Sequence, residues 1–233
     1  MEQNVIDRPS RKLLEELNRI SSATAWGALT NMGFRSVWME GIKPLYPEIK
    51  VVGPAITLKY IAFREDHTPS EPASRAPVNR AWETARPGDI IVADAGGRLD
   101  AGVIGDCMAT GYKAKGAAGF VVDGVVRDSP YIRQLMFPVF SRGATPTSTR
   151  GRLIPAALNV PIQCGGVQVV PGDIIIGDDD GVVVIPREKA AEVAEKGIEE
   201  ETLEGYSRKM LLAGRPLGES YPPRKEWIQK PPI

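Results

Sequence analysis

Gly119-Phe120-Val121-Val122-Asp123-Gly124-Val125-Val126-Arg127-Asp128 is an apolar run that turns at a glycine and delivers a cation beside an anion. Its β-branched and aromatic start reads as a buried strand over 119–123, with a turn at Gly124. Upstream, Gly105 to Lys115 has helical character, and before it Pro87-Gly88-Asp89-Ile90-Ile91-Val92-Ala93-Asp94 is a turn feeding a second strand that ends on a carboxylate. Downstream, Phe137-Pro138-Val139-Phe140 is a further apolar segment. A helix between buried strands predicts a layered α/β fold.

Further out, Val51-Val52-Gly53-Pro54-Ala55-Ile56-Thr57-Leu58 reads as a strand whose pairing Pro54 limits. The phrase Pro171-Gly172-Asp173-Ile174-Ile175-Ile176-Gly177-Asp178 repeats the earlier one at an offset of 84 residues. Shared Pro-Gly-Asp turn chemistry explains that repeat better than duplication. Asp178-Asp179-Asp180-Gly181 then joins it to Val182-Val183-Val184-Ile185 as a hairpin, so the central sheet is expected to be mixed. Two short helices are expected to open the chain, one after Ser10 and one from Ser21 or Ser22 to Gly33. A C-terminal helix is expected from Arg187 to Leu212, interrupted at Gly197 and Gly205 and stopped by Gly214-Arg215-Pro216. Residues 1–215 read as one domain, and residues 216–233 as an extended arm, docked by Trp227 or lying on a neighbouring subunit. Arg64 to Pro77 is a loop of fourteen residues without periodicity.

The 233 residues balance 29 Lys+Arg against 29 Asp+Glu, so no global field favours nucleic acid or anionic lipid. The single histidine, His67, and two cysteines, Cys107 and Cys164, exclude a multi-histidine metal site, a Cys₄ zinc site and a disulfide scaffold. Any metal must be held mainly by oxygen, which favours magnesium, calcium or manganese. Neither a signal peptide nor a membrane span is readable, and a soluble, cytoplasmic protein is expected.

Arg127 and Asp128 can face one site only if the backbone turns there, because adjacent residues of an extended chain point to opposite faces. Their plainer reading is a helix cap with surface ion pairs. Asp94-Ala95-Gly96-Gly97 and Gly102-Val103-Ile104-Gly105-Asp106-Cys107-Met108 add glycines that allow close approach, and a helix start whose N–H groups suit a carboxylate or phosphate. Asp106 alone would read as an N-cap. Cys107 reads as a small packing residue, although a helix N-terminus can lower a thiol pKa. His67 reads as a solvated loop residue. Arg142, Arg150 and Arg152, near Thr145-Pro146, are candidates for a distal substrate carboxylate, with a solvated or interface role the commoner use of each. Asp178, Asp179 and Asp180 lack the alternating ligands of an EF-hand and read as a turn.

Together, Gly53-Pro54-Ala55-Ile56-Thr57, Pro87 to Val92, Gly105-Asp106 followed 21 residues later by Arg127, Gly119 to Asp128, Pro138-Val139-Phe140-Ser141-Arg142-Gly143 and the Gly-Asp-Asp-Asp-Gly hairpin carry a resemblance over about residues 20 to 215. The chain resembles the family of the 4-hydroxy-4-methyl-2-oxoglutarate aldolases, also called 4-carboxy-4-hydroxy-2-oxoadipate aldolases, and the regulator-of-ribonuclease-activity-A-like proteins. The resemblance implies an α/β/α swivelling-domain-like fold, a trimer or hexamer, and active sites at subunit boundaries. It implies Mg²⁺ or Mn²⁺ held by Asp128, with Asp106 reaching the ion through water. Arg127 would bind the substrate's oxo oxygen, and the Cys107 and Met108 backbone N–H groups its carboxylate. A glutamate of a neighbouring subunit's C-terminal helix would reach the ion through water; Glu200 is named for it, with Glu199, Glu201 or Glu204 equally placed by sequence. The implied activity is pyruvate release with accompanying oxaloacetate decarboxylation, and the family's other branch implies a non-catalytic regulator that binds a ribonuclease. No glycine-rich cofactor loop followed by an acidic strand end supports a methyltransferase.

Overall fold

The computed structural model describes residues 6–66 and 75–232. Two helices open it, α1 (Arg11–Leu17) and α2 (Ser22–Asn31), each started by a serine. Ser10 and Ser21 hydroxyls accept the Leu13 and Thr24 N–H groups, satisfying donors that the first helical turn leaves free. The strands are β1 (Lys43–Pro44), β2 (Val51–Ala62), β3 (Ile90–Gly102), β4 (Gly119–Val125), β5 (Val139–Ser141), β6 (Leu153–Leu158), β7 (Ile162–Cys164), β8 (Val167–Val169), β9 (Ile174–Asp178) and β10 (Gly181–Ile185). Helices α3 (Ala76–Thr84), α4 (Asp106–Ala114) and α5 (Ser129–Leu135) connect β2 through β5, and α6 (Ala190–Leu212) follows β10.

Strands β2, β3, β4 and β5 lie side by side and parallel, each joined to the next across a helix. The hairpin β9–β10 adds antiparallel strands beyond β2, so the sheet is mixed. Pro54 marks the change of partner along β2. Residues 51–54 pair β9 and residues 55–59 pair β3, so the proline falls where one ladder ends and the next begins. β1 pairs β5, while Trp38 just before it bridges Val183 of β10, so the sheet curls until its two ends nearly meet.

Three apolar clusters follow from this shape. Val51, Ala55, Ile90, Val92, Val121, Phe140, Ile175 and Val184 fill the inside of the curl, closed by the β7–β8 hairpin through Ile162, Cys164 and Val167. Ile56, Leu58, Ile91, Phe120 and Val122 face α3, α4 and α5 on one outer side. Ile174, Ile176, Val183 and Ile185 face α1, α2 and α6 on the other. Helices therefore flank the sheet on two sides, the α/β/α arrangement expected. The two Pro-Gly-Asp turns use one device: Asp89 accepts the Arg86 N–H and Asp173 the Val170 N–H, each three residues back.

Three expectations are corrected. β3 does not end at Asp94; Gly96 and Gly97 adopt φ of 64° and 72°, and the strand resumes to Gly102 beside β4. Neither Gly197 nor Gly205 interrupts α6. Gly197 is where α6 meets the α1–α2 corner, since a Cβ there would lie 2.8 Å from Ile20 Cδ1. The tail is no extended arm over 217–228: a short helix α7 (Leu217–Ser220) and a 3₁₀ turn (Lys225–Ile228) fold back, and Trp227 is buried with Leu203 and Met210 of α6. His67 and part of the Arg64 to Pro77 loop lie outside the described residues.

Candidate active site

Parallel strands leave their carboxyl ends as the usual place for a site in α/β sheets. Here the ends of β3 and β4 deliver Gly102 and Val125, and the chain beyond them is tied on both sides. Val103 N–H donates to Val125 O, Arg127 N–H to Ile104 O, Val126 N–H to Gly143 O and Thr145 N–H to Val126 O. Val126 and Ala144 form a parallel bridge. The Val126–Arg127 step is thus fixed between two neighbouring segments rather than carried on a free loop.

The turn that Arg127 and Asp128 require is present at Asp128 itself, which sits at φ 54°, ψ 32°. That left-handed backbone, which Asp tolerates better than most residues, brings its carboxylate round so that Arg127 Nε donates to Asp128 Oδ2 at 3.0 Å. Both side chains remain partly exposed, at 41% and 29%. Among the described residues nothing accepts from the two Nη groups of Arg127.

α4 begins against this pair. Gly105, not Asp106, is the N-cap; Asp106 is the first helical residue, which corrects the capping assignment. The first intrahelical bond runs from Ala109 N–H to Gly105 O, so the N–H groups of Asp106, Cys107 and Met108 point out of the helix end. A Cβ on Gly105 would stand 2.7 Å from Asp128 Oδ2 and 3.2 Å from Arg127 Cγ, so only glycine admits this approach without displacing them. The Cys107 N–H is already taken by Asp106 Oδ1 at 2.7 Å. Cys107 is exposed rather than packed. Its thiol is pushed above its ordinary value, first by the hydrogen bond with Asp106 and then by that residue's charge, the reverse of the lowering expected from the helix end.

Asp106, Cys107, Met108, Arg127 and Asp128 are therefore brought together, and the C-terminal glutamates are not. Among the described residues no three His, Cys, Asp or Glu side chains gather closely enough to share a metal ion. Glu201 is engaged within the chain by Ser21 N–H, Thr24 Oγ1 and Arg208. Glu204 pairs with Arg208. Glu199 and Glu200 are exposed, and Glu200 lines a groove with Thr24, Gly27 and Lys196.

Arg142 is engaged elsewhere: its Nε donates to Asp123 Oδ1, and Asp123 Oδ2 accepts Gly165 N–H. That pairing holds the β7–β8 turn over the curl. Asp178 and Asp179 are tied to the N–H groups of Ser22 and Glu48, as turn residues would be. One basic residue missed in sequence lies nearby, Arg98 on the resumed part of β3. The glycine pair before it reads as a loop, and only the ladder with β4 shows otherwise.

A curled mixed sheet with an Arg-Asp step and a helix start at its carboxyl end defines an RraA-like chain. The family model described as "RraA-like: Aldolase/RraA" matches residues 4–184, and the chain belongs to that family. A relative described as a putative 4-hydroxy-4-methyl-2-oxoglutarate aldolase from Halalkalibacterium halodurans is 41% identical over 155 residues, 66% of this chain and 69% of the relative. Protein DlpA of Legionella pneumophila is 32% identical over 230 residues, 97% of this chain but 36% of its own length. The solved structure of Streptomyces coelicolor RraAS2, described as an unusual member of the RNase ES inhibitor RraA protein family, superposes with a TM-score of 0.80. It is 39% identical, with 87% of this chain and 98% of that chain covered. Among the described residues no helix is long and apolar enough to cross a membrane.

Proposed function

We propose that the chain is a divalent-metal-dependent lyase that cleaves a 4-hydroxy-2-oxo diacid, such as 4-hydroxy-4-methyl-2-oxoglutarate, to pyruvate, and that it decarboxylates oxaloacetate. The observation that carries this reading is the meeting of Arg127 and Asp128 with the start of α4 across Gly105. The aldolase name of the Halalkalibacterium relative agrees with it.

The donor set fits a hard ion. Asp128 and Asp106 offer carboxylate oxygens, and the Cys107 thiol beside them is pushed above its ordinary value by its hydrogen bond with Asp106, which disfavours the thiolate a soft ion would need. Asp128 would hold Mg²⁺ or Mn²⁺ directly and Asp106 through water. Glu199 or Glu200 of a neighbouring copy would complete the set in a trimer or hexamer, since the other two candidates are engaged inside their own chain. When bound, the ion supplies Lewis-acid stabilisation of charge developing on the substrate's C2 oxygen.

Arg127 does the same work from the protein side. Breaking the C3–C4 bond leaves an electron pair on pyruvate as its enolate, and a guanidinium with unengaged Nη groups aimed at the C2 oxygen stabilises that charge. The outward N–H groups of Cys107 and Met108 receive the C1 carboxylate, displacing Asp106 from the Cys107 amide. Asp106, released, takes the C4 hydroxyl proton through water as C4 becomes a carbonyl, and a proton returned by the same route to C3 of the enolate gives pyruvate. Oxaloacetate presents the same oxo acid end and loses CO₂ to give the same enolate. This chemistry requires no histidine.

A second reading has one observation in its favour, the description of the Streptomyces neighbour as belonging to an RNase inhibitor family. It expects a stable complex with a ribonuclease and no turnover. A coupled pyruvate assay over several 4-hydroxy-2-oxo diacids and oxaloacetate, with and without chelator, separates the two. The lyase reading requires turnover that chelator abolishes and that Asp128→Ala and Arg127→Ala lose; unchanged turnover in those variants would end it.

A further inference from the structure

Two arginines converge on one carboxylate next to this site. Arg98 grips Asp100 with two nitrogens, Nε to Oδ1 at 2.8 Å and Nη2 to Oδ2 at 2.6 Å, and its Nη1 donates to Arg152 O at 3.4 Å. Arg152 approaches the same Oδ2 only to 3.7 Å, and its Nη1 makes a long 3.4 Å contact with Arg150 O. Two guanidinium groups against one carboxylate leave a surplus positive charge, and Arg152 holds it more loosely. Arg142, the other basic residue singled out with it in the sequence, is bound to buried Asp123.

Thr147 connects this cluster to the Arg127 site. Its hydroxyl donates to Asp100 O at 2.7 Å. A Cβ built on Gly102 would lie 2.7 Å from the Thr147 carbonyl oxygen and 3.0 Å from Arg127 Cβ. The surplus cation is thus joined to Arg127 through Asp100, Thr147 and Gly102, a short chain of direct contacts. A planar guanidinium with an unfilled fork matches a carboxylate through two parallel hydrogen bonds.

We propose that Arg152 selects the substrate class by receiving the second carboxylate of a 2-oxo diacid whose oxo end lies at Arg127, with Arg98 locked by Asp100 as a fixed wall of that subsite. This rests on the lyase reading, and the experiment keeps the two apart. Pyruvate release is measured from 4-hydroxy-4-methyl-2-oxoglutarate and from 4-hydroxy-4-methyl-2-oxopentanoate, in which a methyl group replaces the second carboxylate. The unmodified protein, Arg152→Gln and Arg150→Gln are compared, each loaded with Mg²⁺. Arg152→Gln should lower kcat/KM for the diacid by roughly 10–100-fold, the worth of a charged hydrogen-bonded contact, and change the monoacid by less than about 3-fold. Arg150→Gln should leave the ratio between the two substrates as it was. An equal loss on both substrates, or a ratio that follows Arg150 instead, overturns the assignment while the lyase reading stands. No pyruvate from either substrate in the unmodified protein removes both.

Discussion

Arg127 Nε and Asp128 Oδ2 are 3.0 Å apart although the two residues are adjacent in the chain, a contact made possible by the left-handed backbone at Asp128. The pair is thus a product of local conformation, and side-chain chemistry can be changed there without disturbing the turn. Asn tolerates the left-handed region as well as Asp does. Asp128→Asn should therefore keep Tm within about 3 °C of the unmodified protein, and yet lower pyruvate release at least about 100-fold. Differential scanning calorimetry beside the coupled assay checks both parts; an active Asp128→Asn protein would show that the carboxylate has no role in the reaction.

Gly105 tests whether the site depends on close approach. Its own φ is −122°, which any residue adopts, so alanine brings no backbone strain. The nearest atom its Cβ would meet is Asp128 Oδ2 at 2.7 Å, the far end of a side chain able to move. Gly105→Ala should fold normally while shifting the carboxylate, with a loss of about 10–100-fold in kcat/KM, as misplacements on the ångström scale cause. A variant that loses stability and activity together would instead mean that the helix start itself has moved.

Much of this arrangement is legible in the chain because it is local. Ser10 and Ser21 cap helices within three residues of themselves, and the β9–β10 hairpin is written in Asp178 to Gly181. Arg127 and Asp128 stand out because a strand, a glycine and two opposite charges follow in order. What is not legible depends on distant partners. Gly96-Gly97 reads as the end of a strand, and only pairing with β4 carries β3 on to Arg98 and Asp100. Gly197 reads as a helix breaker, yet it is a contact with Ile20, 177 residues earlier. The polar tail shows too little periodicity to predict burial, and one tryptophan finding Leu203 and Met210 settles its course. Glu199, Glu200, Glu201 and Glu204 of α6 look equivalent until Thr24, Ser21 and Arg208 engage two of them.

The first Pro-Gly-Asp turn holds a charge that the second does not match. Asp89 is fully buried and takes Arg8 Nε at 2.8 Å and Arg8 Nη2 at 2.7 Å, in addition to the Arg86 N–H. Removing one partner of such a pair leaves the other without compensation in the interior. Arg8→Met should lower unfolding free energy by roughly 2–4 kcal/mol. Adding Asp89→Asn to it should restore part of the loss, because the Arg86 N–H can still be accepted by the amide oxygen. Urea unfolding of the two variants beside the unmodified protein measures this, and a double variant no more stable than Arg8→Met would contradict the charge argument.

The second turn predicts a dependence on pH. Burial pushes the Asp173 carboxyl above its ordinary value of 3.8, partly offset by the hydrogen bonds it accepts from Val170 and Arg187 N–H groups. From about pH 3.8 up to that raised value, the folded chain keeps a proton that the unfolded chain has already lost. The unfolded state then binds fewer protons, so this carboxyl makes stability fall as pH rises through the window and level off above it. Asp173→Asn abolishes the titration. Whatever constant offset the amide introduces, the stability of the variant minus that of the unmodified protein should climb with pH across the window and then stay flat. Urea midpoints collected from pH 3.5 to 7 on both proteins test the slope. A difference independent of pH would mean that the two N–H donors hold the carboxylate well enough to cancel its burial.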